Sequence, residues 1–505
     1  MAVYGQAVAK GAMWVTMATL VSQLVQFIVG MVLARLLTPQ DYGTVALLSI
    51  FFAVAGSLAS CGFGNALVQK KDAGDIEFNS VFYSSVVMAL VIYAILFFAA
   101  PYIAEFYRVP VLCSVTRVSA IQFVLSAINS VQGAEISRKL LFHKSFKIGL
   151  VTCTVSAVCG IAFAYMGMGV WALVWASLLT SVAGIIASWT IVAWRPKLMF
   201  SFRAVKGLFS YGWKLSLSGL IHTTYTNLYG FLVGRVYTPA DLAFVNKGRS
   251  MPNLLMSTID GTILGVSFPA LARLQDDKER FRNAMRRMIK CSTFLVFPLL
   301  TGLCICARPI ILLLYGHQWE PAVPYVMVAC FSFALLPFNS INTSAISALG
   351  RSDIYLVLEI IKKGIGIALM LLSIRHGVLV FMMTMAFVLS PFAVLINTFA
   401  NGKLLRYNLM MQLVDIGPSA ALCVAMATVV LCVRMLITPL LAALPEIHVA
   451  MFLDIFVSFA SGVICYFGLA IAFKLSAFRV YVEAILPMLR NKAPCIAKFV
   501  GRFAE

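Results

Sequence analysis

A chain of 505 residues that is 61% hydrophobic, 11% charged and has a mean hydropathy of +0.95 is not a soluble domain. Apolar runs of about twenty residues recur from end to end, which predicts an all-α polytopic membrane protein. The formal net charge of +20 raises nucleic acid as a partner, and only the placement of the charges can decide that.

About fourteen transmembrane helices are predicted, near 12–34, 44–65, 81–103, 118–136, 148–166, 170–194, 215–236, 242–267, 291–312, 323–347, 355–374, 378–400, 415–436 and 451–473. Lys10 precedes the first and no small-residue cleavage motif follows, so it reads as an uncleaved span starting in the cytoplasm. Thr16, Thr19, Gln23 and Gln26 give it a polar face. Span four ends at Glu135, the one carboxylate inside the first six spans. Gly167-Met168-Gly169 is a tight turn between spans five and six. Arg195 to Lys214, with FSFRAVKGLFSY, reads as an amphipathic interfacial segment. Span seven then sets Ser218, His222, Tyr225 and Tyr229 on one face, with Asn227 beside them.

Span eight departs most from the composition around it. Arg249 lies eight residues beyond Asp241, about 12 Å along a helix, so Lys247 and Arg249 sit below the surface of a core about 30 Å thick. A cation at depth costs roughly 2.5–3.5 kcal/mol unless it faces water or a partner. Asn246, Arg249, Asn253, Ser257 and Asp260 follow helical spacing and give this span a polar, cationic face. Lys247 is about 200° from Arg249 on an ideal helix, so both share a cavity only if Gly248 and Pro252 bend the chain. Snorkelling at the outer interface is the plainer reading of both cations. The charged run at 273–290 reads as a solvated amphipathic helix, and span ten adds Asn339, Asn342, Thr343 and Ser344. Spans thirteen and fourteen, after Gly417-Pro418, rest on hydropathy alone.

Most of the 39 lysines and arginines fall in alternate loops: Lys70 and Lys71, Arg138 to Lys147, Arg195 to Lys214, Arg273 to Lys290, Lys403 and Arg406, and Lys474 to Arg502. This bias is the positive-inside rule, and it places both termini in the cytoplasm. The basic charge is thus topological, with some attraction to anionic membrane lipids, and no nucleic acid is required. The twelve cysteines are scattered singly, so no metal site or cofactor motif is visible.

The chain also repeats. ARLLTPQDYGTV at 34–45 aligns with GRVYTPADLAFV at 234–245, matching Arg35, Thr38, Pro39, Asp41 and Val45 to Arg235, Thr238, Pro239, Asp241 and Val245 at an offset of 200. Six spans precede the second copy, which predicts two parallel six-helix repeats. The expected domains are a lobe at 1–200, a lobe at 201–410, and two additional helices with a cytoplasmic tail at 411–505. Arg35 and Arg235 are read as clamping their turns by ion pairing with the aspartates.

The two lobes, the run from Asn246 to Pro252, FPALARLQDD at 268–277, LLYGHQWEPAVPYV at 313–326 and ALGRSD at 348–353 resemble the polysaccharide transporters. These are the Wzx-type lipid-linked oligosaccharide flippases of the multidrug/oligosaccharidyl-lipid/polysaccharide superfamily, and the resemblance covers most of residues 5–400. It implies a V-shaped cavity between the lobes and alternating access. The implied cargo is an undecaprenyl-pyrophosphate-linked oligosaccharide, moved from cytoplasmic to periplasmic leaflet for O-antigen, capsule or exopolysaccharide synthesis. It further implies the bacterial inner membrane, with a polysaccharide polymerase and glycosyltransferases as partners.

Such cargo needs buried cations for pyrophosphate and amide or aromatic groups for sugar. The candidate substrate-binding set is therefore Lys247, Arg249, Asn246, Asn253, His222, Tyr225, Tyr229, Gln23, Gln26 and Asn342. Asp260 and Glu135 are the candidate ion-coupling carboxylates, with a structural ion pair as the alternative for each. The alternative function is a cation-coupled multidrug exporter of the multidrug and toxin extrusion type, which would want membrane carboxylates where this chain has cations. A non-transporting scaffold is a third class, and it would not need polar stripes in four helices. No nucleotide loop or catalytic pattern supports an enzyme.

Overall fold

Lipid offers no hydrogen bonds to the backbone, so the chain answers with helices almost throughout. The computed structural model describes residues 2–480 other than 61, 71, 140, 443, 444 and 476. Lys71 and the tail expected in the cytoplasm from 481 to 505 lie outside them. Among the described residues there is no β-strand, and eleven helical stretches are long and apolar enough to cross a membrane. Helices stand at the other three predicted positions as well: Ala2–Leu36, of which Val21–Leu36 is a shorter apolar stretch, Phe202–Val236, and Ser352–Ser373, which carries Asp353, Glu359, Lys362 and Lys363. The chain divides into two compact units, 1–243 and 244–505.

In the first unit, α1 (Ala2–Leu36) leads through Thr38 to α2 (Pro39–Leu47) and α3 (Ser49–Ser60). The start of α2 is a capping box: Asp41 Oδ2 accepts from the Thr38 N–H at 3.0 Å while Thr38 Oγ1 accepts from the Asp41 N–H at 3.3 Å. Pro39 at the first helical position adds a pre-set φ where no donor is needed. Then follow α4 (Phe63–Gln69), α5 (Asp75–Tyr107), α6 (Val111–Ser119), α7 (Ile121–Arg138), α8 (Phe142–Tyr165) and α9 (Val170–Ile191). At 33 residues α5 is about 50 Å long, more than a bilayer core needs. The turn expected at Gly167-Met168-Gly169 is present, with φ of +72° and +55° at its two glycines.

Residues 192–201 form no helix, bend at Leu198 where the Met199 N–H donates to the Lys197 carbonyl, and bond to the start of α5. Buried Asn79 accepts from the Lys197 N–H at 2.5 Å, Ser80 Oγ accepts from the Ser201 N–H at 2.9 Å, and Lys197 pairs with Asp75 at 2.6 Å. The expected interfacial segment is thus a bent, non-helical strap followed by the first turns of α10 (Phe202–Val236). Helix α10 packs on α3, α4 and α5, around a core of Phe63, Leu67, Phe78, Phe82, Val131 and Leu208. A β-carbon at Gly43 would lie 1.7 Å from the Pro239 carbonyl oxygen, so the two TP-x-D turns touch backbone to backbone.

Helix α11 (Pro239–Ala272) contains the boundary between the units and remains helical through Pro252 and Pro269. The second unit continues with α12 (Lys278–Ile305), α13 (Ala307–Tyr315), a 3-10 turn (His317–Ala322), α14 (Val323–Ala334), α15 (Leu336–Ala348), α16 (Ser352–Ser373) and α17 (Val378–Met383). A π-helical turn (Thr384–Leu389) joins α17 to α18 (Ser390–Leu405), and α19 (Leu409–Ala442) and α20 (Ile447–Ala472) complete it. The last two helices are tied to the rest by polar contacts at membrane depth. Arg434 of α19 pairs side-on with Asp454 of α20 at 3.0 and 2.9 Å and donates to the Ile305 carbonyl at 2.6 Å. Tyr466 Oη donates to the Phe294 carbonyl of α12 at 2.8 Å.

Candidate functional site

Helix α11 begins like α2, with Asp241 Oδ2 accepting from Thr238 N at 3.1 Å and Thr238 Oγ1 accepting from Asp241 N at 3.2 Å. Ion pairing of Arg235 with this turn is not what forms. The Asp241 carboxylate is turned onto Thr238, and the Arg235 guanidinium lies over the Phe106 ring, 4.8 Å from its centre. A carboxylate saturated by its own helix start has less to offer a neighbouring cation.

The cap fixes where the following turns point. Asn253 and Ser257 are exposed, and Asn246, Arg249 and Asp260 are half-buried, so the stripe read from helical spacing faces away from the packed interior of the second unit. Gly248 sits on another side, where an added β-carbon would be 2.6 Å from Tyr325 Cβ. Lys247 lies about 200° from Arg249 and takes a different environment. Its ammonium is 4.1 Å from the centre of the Tyr315 ring and 5.4 Å from that of Trp319. Both rings are almost wholly buried, and Phe244 meets Trp319 edge-on at 5.9 Å. An ammonium over two desolvated aromatic faces gains about 2 kcal/mol, close to what its depth in the membrane costs.

Asp260 faces α15, where Ser340 reaches its carboxyl group, and its Oδ1 is enclosed with no hydrogen-bond partner. Glu135 is held differently, with one oxygen 2.5 Å from Lys139 Nζ one turn along α7. Asn342 is fully buried. Its amide donates to Gln412 at 3.1 Å and to the Phe338 carbonyl at 2.9 Å, while its Oδ1 accepts from Asn401 at 2.9 Å and from Gln412 at 3.2 Å. Thr398 also donates to Gln412, joining α15, α18 and α19 in one amide cluster, and Asn397 of α18 forms a second by donating to Asn339 and Thr343 of α15. In the first unit, His222 and Gln26 are exposed on α10 and α1, while Tyr225, Tyr229 and Gln23 are half-buried. Side-chain surroundings of Thr16 lie outside the described residues.

The structure therefore gathers Asn246, Arg249 and Asn253 on one stripe, puts Lys247 in an aromatic box, and encloses Asn342 among other amides. Asn397, Asn401, Gln412, Arg434 and Asp454 escaped the sequence reading. Only the presence of amides and opposite charges inside apolar runs pointed to them.

The fold is that of the multi-helix transporters. The chain superposes on lipid II flippase MurJ in an inward closed conformation with a TM-score of 0.70 at 12% identity, covering 91% of this chain and 98% of that one. An inward-facing multidrug resistance MATE family transporter gives a TM-score of 0.59 at 14% identity, covering 79% and 95%. Residues 32–324 match the polysaccharide biosynthesis protein family, and the chain belongs to it. Similar sequences include teichuronic acid biosynthesis protein TuaB of Bacillus subtilis (strain 168), 24% identical over 68% of this chain and 72% of that protein. Another is lipopolysaccharide biosynthesis protein WzxC of Escherichia coli (strain K12), 22% identical over 70% and 72%. Succinoglycan biosynthesis transport protein ExoT of Rhizobium meliloti (strain 1021) is 23% identical over 62% and 63%. The protein is a multi-pass bacterial membrane protein of polysaccharide biosynthesis.

Proposed function

We propose that this protein is a flippase of the bacterial inner membrane that moves an undecaprenyl-pyrophosphate-linked oligosaccharide to the periplasmic leaflet by alternating access. In this reading it has fourteen spans, Ala2–Leu36, Phe202–Val236 and Ser352–Ser373 included, arranged as two parallel repeats of six and two further helices. The observation that carries it is the stripe Asn246, Arg249, Asn253 and Ser257 on α11, a cation among amides and hydroxyls within an apolar stretch. A pyrophosphate leaving water needs charge-assisted donors, and the planar guanidinium of Arg249 supplies two. Asn253, His222, Tyr225, Tyr229, Gln23 and Gln26 are assigned to the glycan, by hydrogen bonding and ring stacking. Lys247 is assigned to holding α11 against Tyr315 and Trp319, and Asn342 to packing. Asp260, with a buried unpaired oxygen, is the better coupling carboxylate than Glu135, which is paired with Lys139. The names of the similar lipid II flippase, lipopolysaccharide biosynthesis and succinoglycan biosynthesis transport proteins support the flippase class.

Arg249→Ala is the test. It should leave the protein in the membrane yet cause lipid-linked oligosaccharide to accumulate on the cytoplasmic side, with surface glycan reduced about ten- to a hundred-fold, the equivalent of a charge-assisted contact of about 1.5–3 kcal/mol. Arg249→Lys should be milder, because the charge survives while the fork is lost. Wild-type glycan display by Arg249→Ala at matched membrane levels would remove this helix from the substrate path. Ethidium efflux by the unmodified protein, with glycan unchanged on gene deletion, would move the assignment to the exporter class.

A further inference from the structure

The strongest concentration of positive charge outside α11 lies at the start of α12. Asn283, Arg286, Arg287 and Lys290 recur at intervals of three and four, so one helix face carries three cations in two turns. Immediately after Lys290 the helix turns apolar, and no charged residue occurs from Cys291 to Ile305. That change marks the level of the lipid head groups, on the side the positive-inside bias assigns to the cytoplasm. The charges line an open cavity of about 280 Å³ together with the apolar Ala477 and Val480. Among the described residues lining it none is acidic.

The cluster is built rather than loose. Buried Asp415 of α19 accepts from Arg286 Nε at 2.7 Å through Oδ2 and from Nη2 at 2.8 Å through Oδ1, and Lys290 Nζ lies 3.1 Å from the same Oδ1. Tyr407 Oη donates to the same carboxylate at 2.7 Å. Asp415 therefore holds Arg286 and Lys290 at the cavity rim, with Arg287 beside them. Positive side chains facing an apolar wall at head-group depth match a phosphate attached to acyl chains better than a free anion in water.

We propose that this cavity binds the phosphate head group of an anionic phospholipid, fixing the inner end of α12 against α19 and the segment 477–480. The site is separate from the cargo stripe on α11 and does not depend on the cargo assignment.

The test uses the full-length protein in detergent micelles, titrated with phosphatidylglycerol, phosphatidylcholine or inorganic phosphate and read by native mass spectrometry. Phosphatidylglycerol should bind and phosphatidylcholine should not. Arg287→Gln should weaken binding about five-fold and Arg287→Glu about twenty-five-fold, following the contribution of each charge near a head group. Arg287→Lys should stay within about two-fold of the unmodified protein, since the phosphate still meets a cation there. Arg273→Gln removes a charge from the turn before α12 and not from the cavity, and should leave binding unchanged. An elution profile and melting temperature equal to the unmodified protein's keep a folding defect apart from a binding defect. Equal affinity for phosphatidylcholine, or an Arg273→Gln loss as large as that of Arg287→Gln, would overturn the site. Inorganic phosphate that displaces the lipid at equal concentration would overturn the lipid assignment.

Discussion

The turns at Thr38 and Thr238 are built alike and lead to unlike helices. Each has the same capping box, with matched bonds agreeing to about 0.1 Å, and each has proline at the first helical position. Beyond the cap, α2 ends at Leu47 and the chain restarts as α3, whereas α11 runs unbroken to Ala272. At the same offset of 200, Ala46, Leu47, Ser49, Ala53 and Ser60 stand where the second copy has Asn246, Lys247, Arg249, Asn253 and Asp260. In the first copy only Leu47 of these five is fully buried and Ser49 and Ser60 are exposed small hydroxyls, whereas the second copy places two cations, two amides and a carboxylate there. The shared cap sets the direction of a helix, and only one of the two carries cations at these positions.

The largest break in this comparison is expected at Gly43, whose counterpart is Ala243. A β-carbon added at Gly43 would meet backbone, at the Pro239 carbonyl. No rotamer relieves a clash between a β-carbon and a main-chain oxygen, so Gly43→Ala should cost about 3 kcal/mol or more. The readout is the midpoint of thermal unfolding in detergent together with the yield of monodisperse protein. The reciprocal Ala243→Gly should cost at most about 1 kcal/mol, from helix propensity. Equal losses from the two substitutions would mean that the turns do not meet as described.

A medium effect tests the likeness itself. Thr38→Ala and Thr238→Ala each remove one cap acceptor and one donor to the aspartate, and each should destabilise by about 1 kcal/mol. The two melting shifts should agree within about 0.5 kcal/mol, since neighbouring geometry is the same. A large loss at one turn alone would show that tertiary contacts, and not the cap, hold the other.

Much of this was readable from the residues, and the limit has a physical form. The caps have their partners three residues away, the glycine turn needs only its own φ angles, and the α11 stripe follows from helical spacing. Apolar length located eleven crossing stretches. What could not be read depends on partners far along the chain. Lys247 finds Tyr315 and Trp319 about seventy residues on, Asn342 finds Gln412 at a separation of 70, and Arg286 finds Asp415 at 129. Spacing along one helix says that a polar residue must be satisfied in lipid, but not whether substrate, water or another helix does it. Arg235 shows the same limit from the other side: an ion pair near in sequence lost to an aromatic ring from α5.

The smallest expected effect separates the two cations of α11. Lys247→Leu inserts the residue that the first copy carries at the equivalent position, Leu47. The substitution removes a cation–π contact of about 0.5–2 kcal/mol with Tyr315 and Trp319. It also removes the cost of keeping an ammonium at depth and leaves an apolar side chain against two buried rings. These contributions oppose each other, so the melting temperature should move by the equivalent of about 1 kcal/mol or less. If Lys247 serves packing, glycan display should remain within about two-fold of the unmodified protein, while Arg249→Ala loses at least ten-fold under the same conditions. A loss of export by Lys247→Leu as deep as that of Arg249→Ala, with folding intact, would return Lys247 to the substrate path. It would also mean that the aromatic box opens during transport, because the ammonium cannot reach the Arg249 stripe from the opposite side of a helix while it lies over those rings.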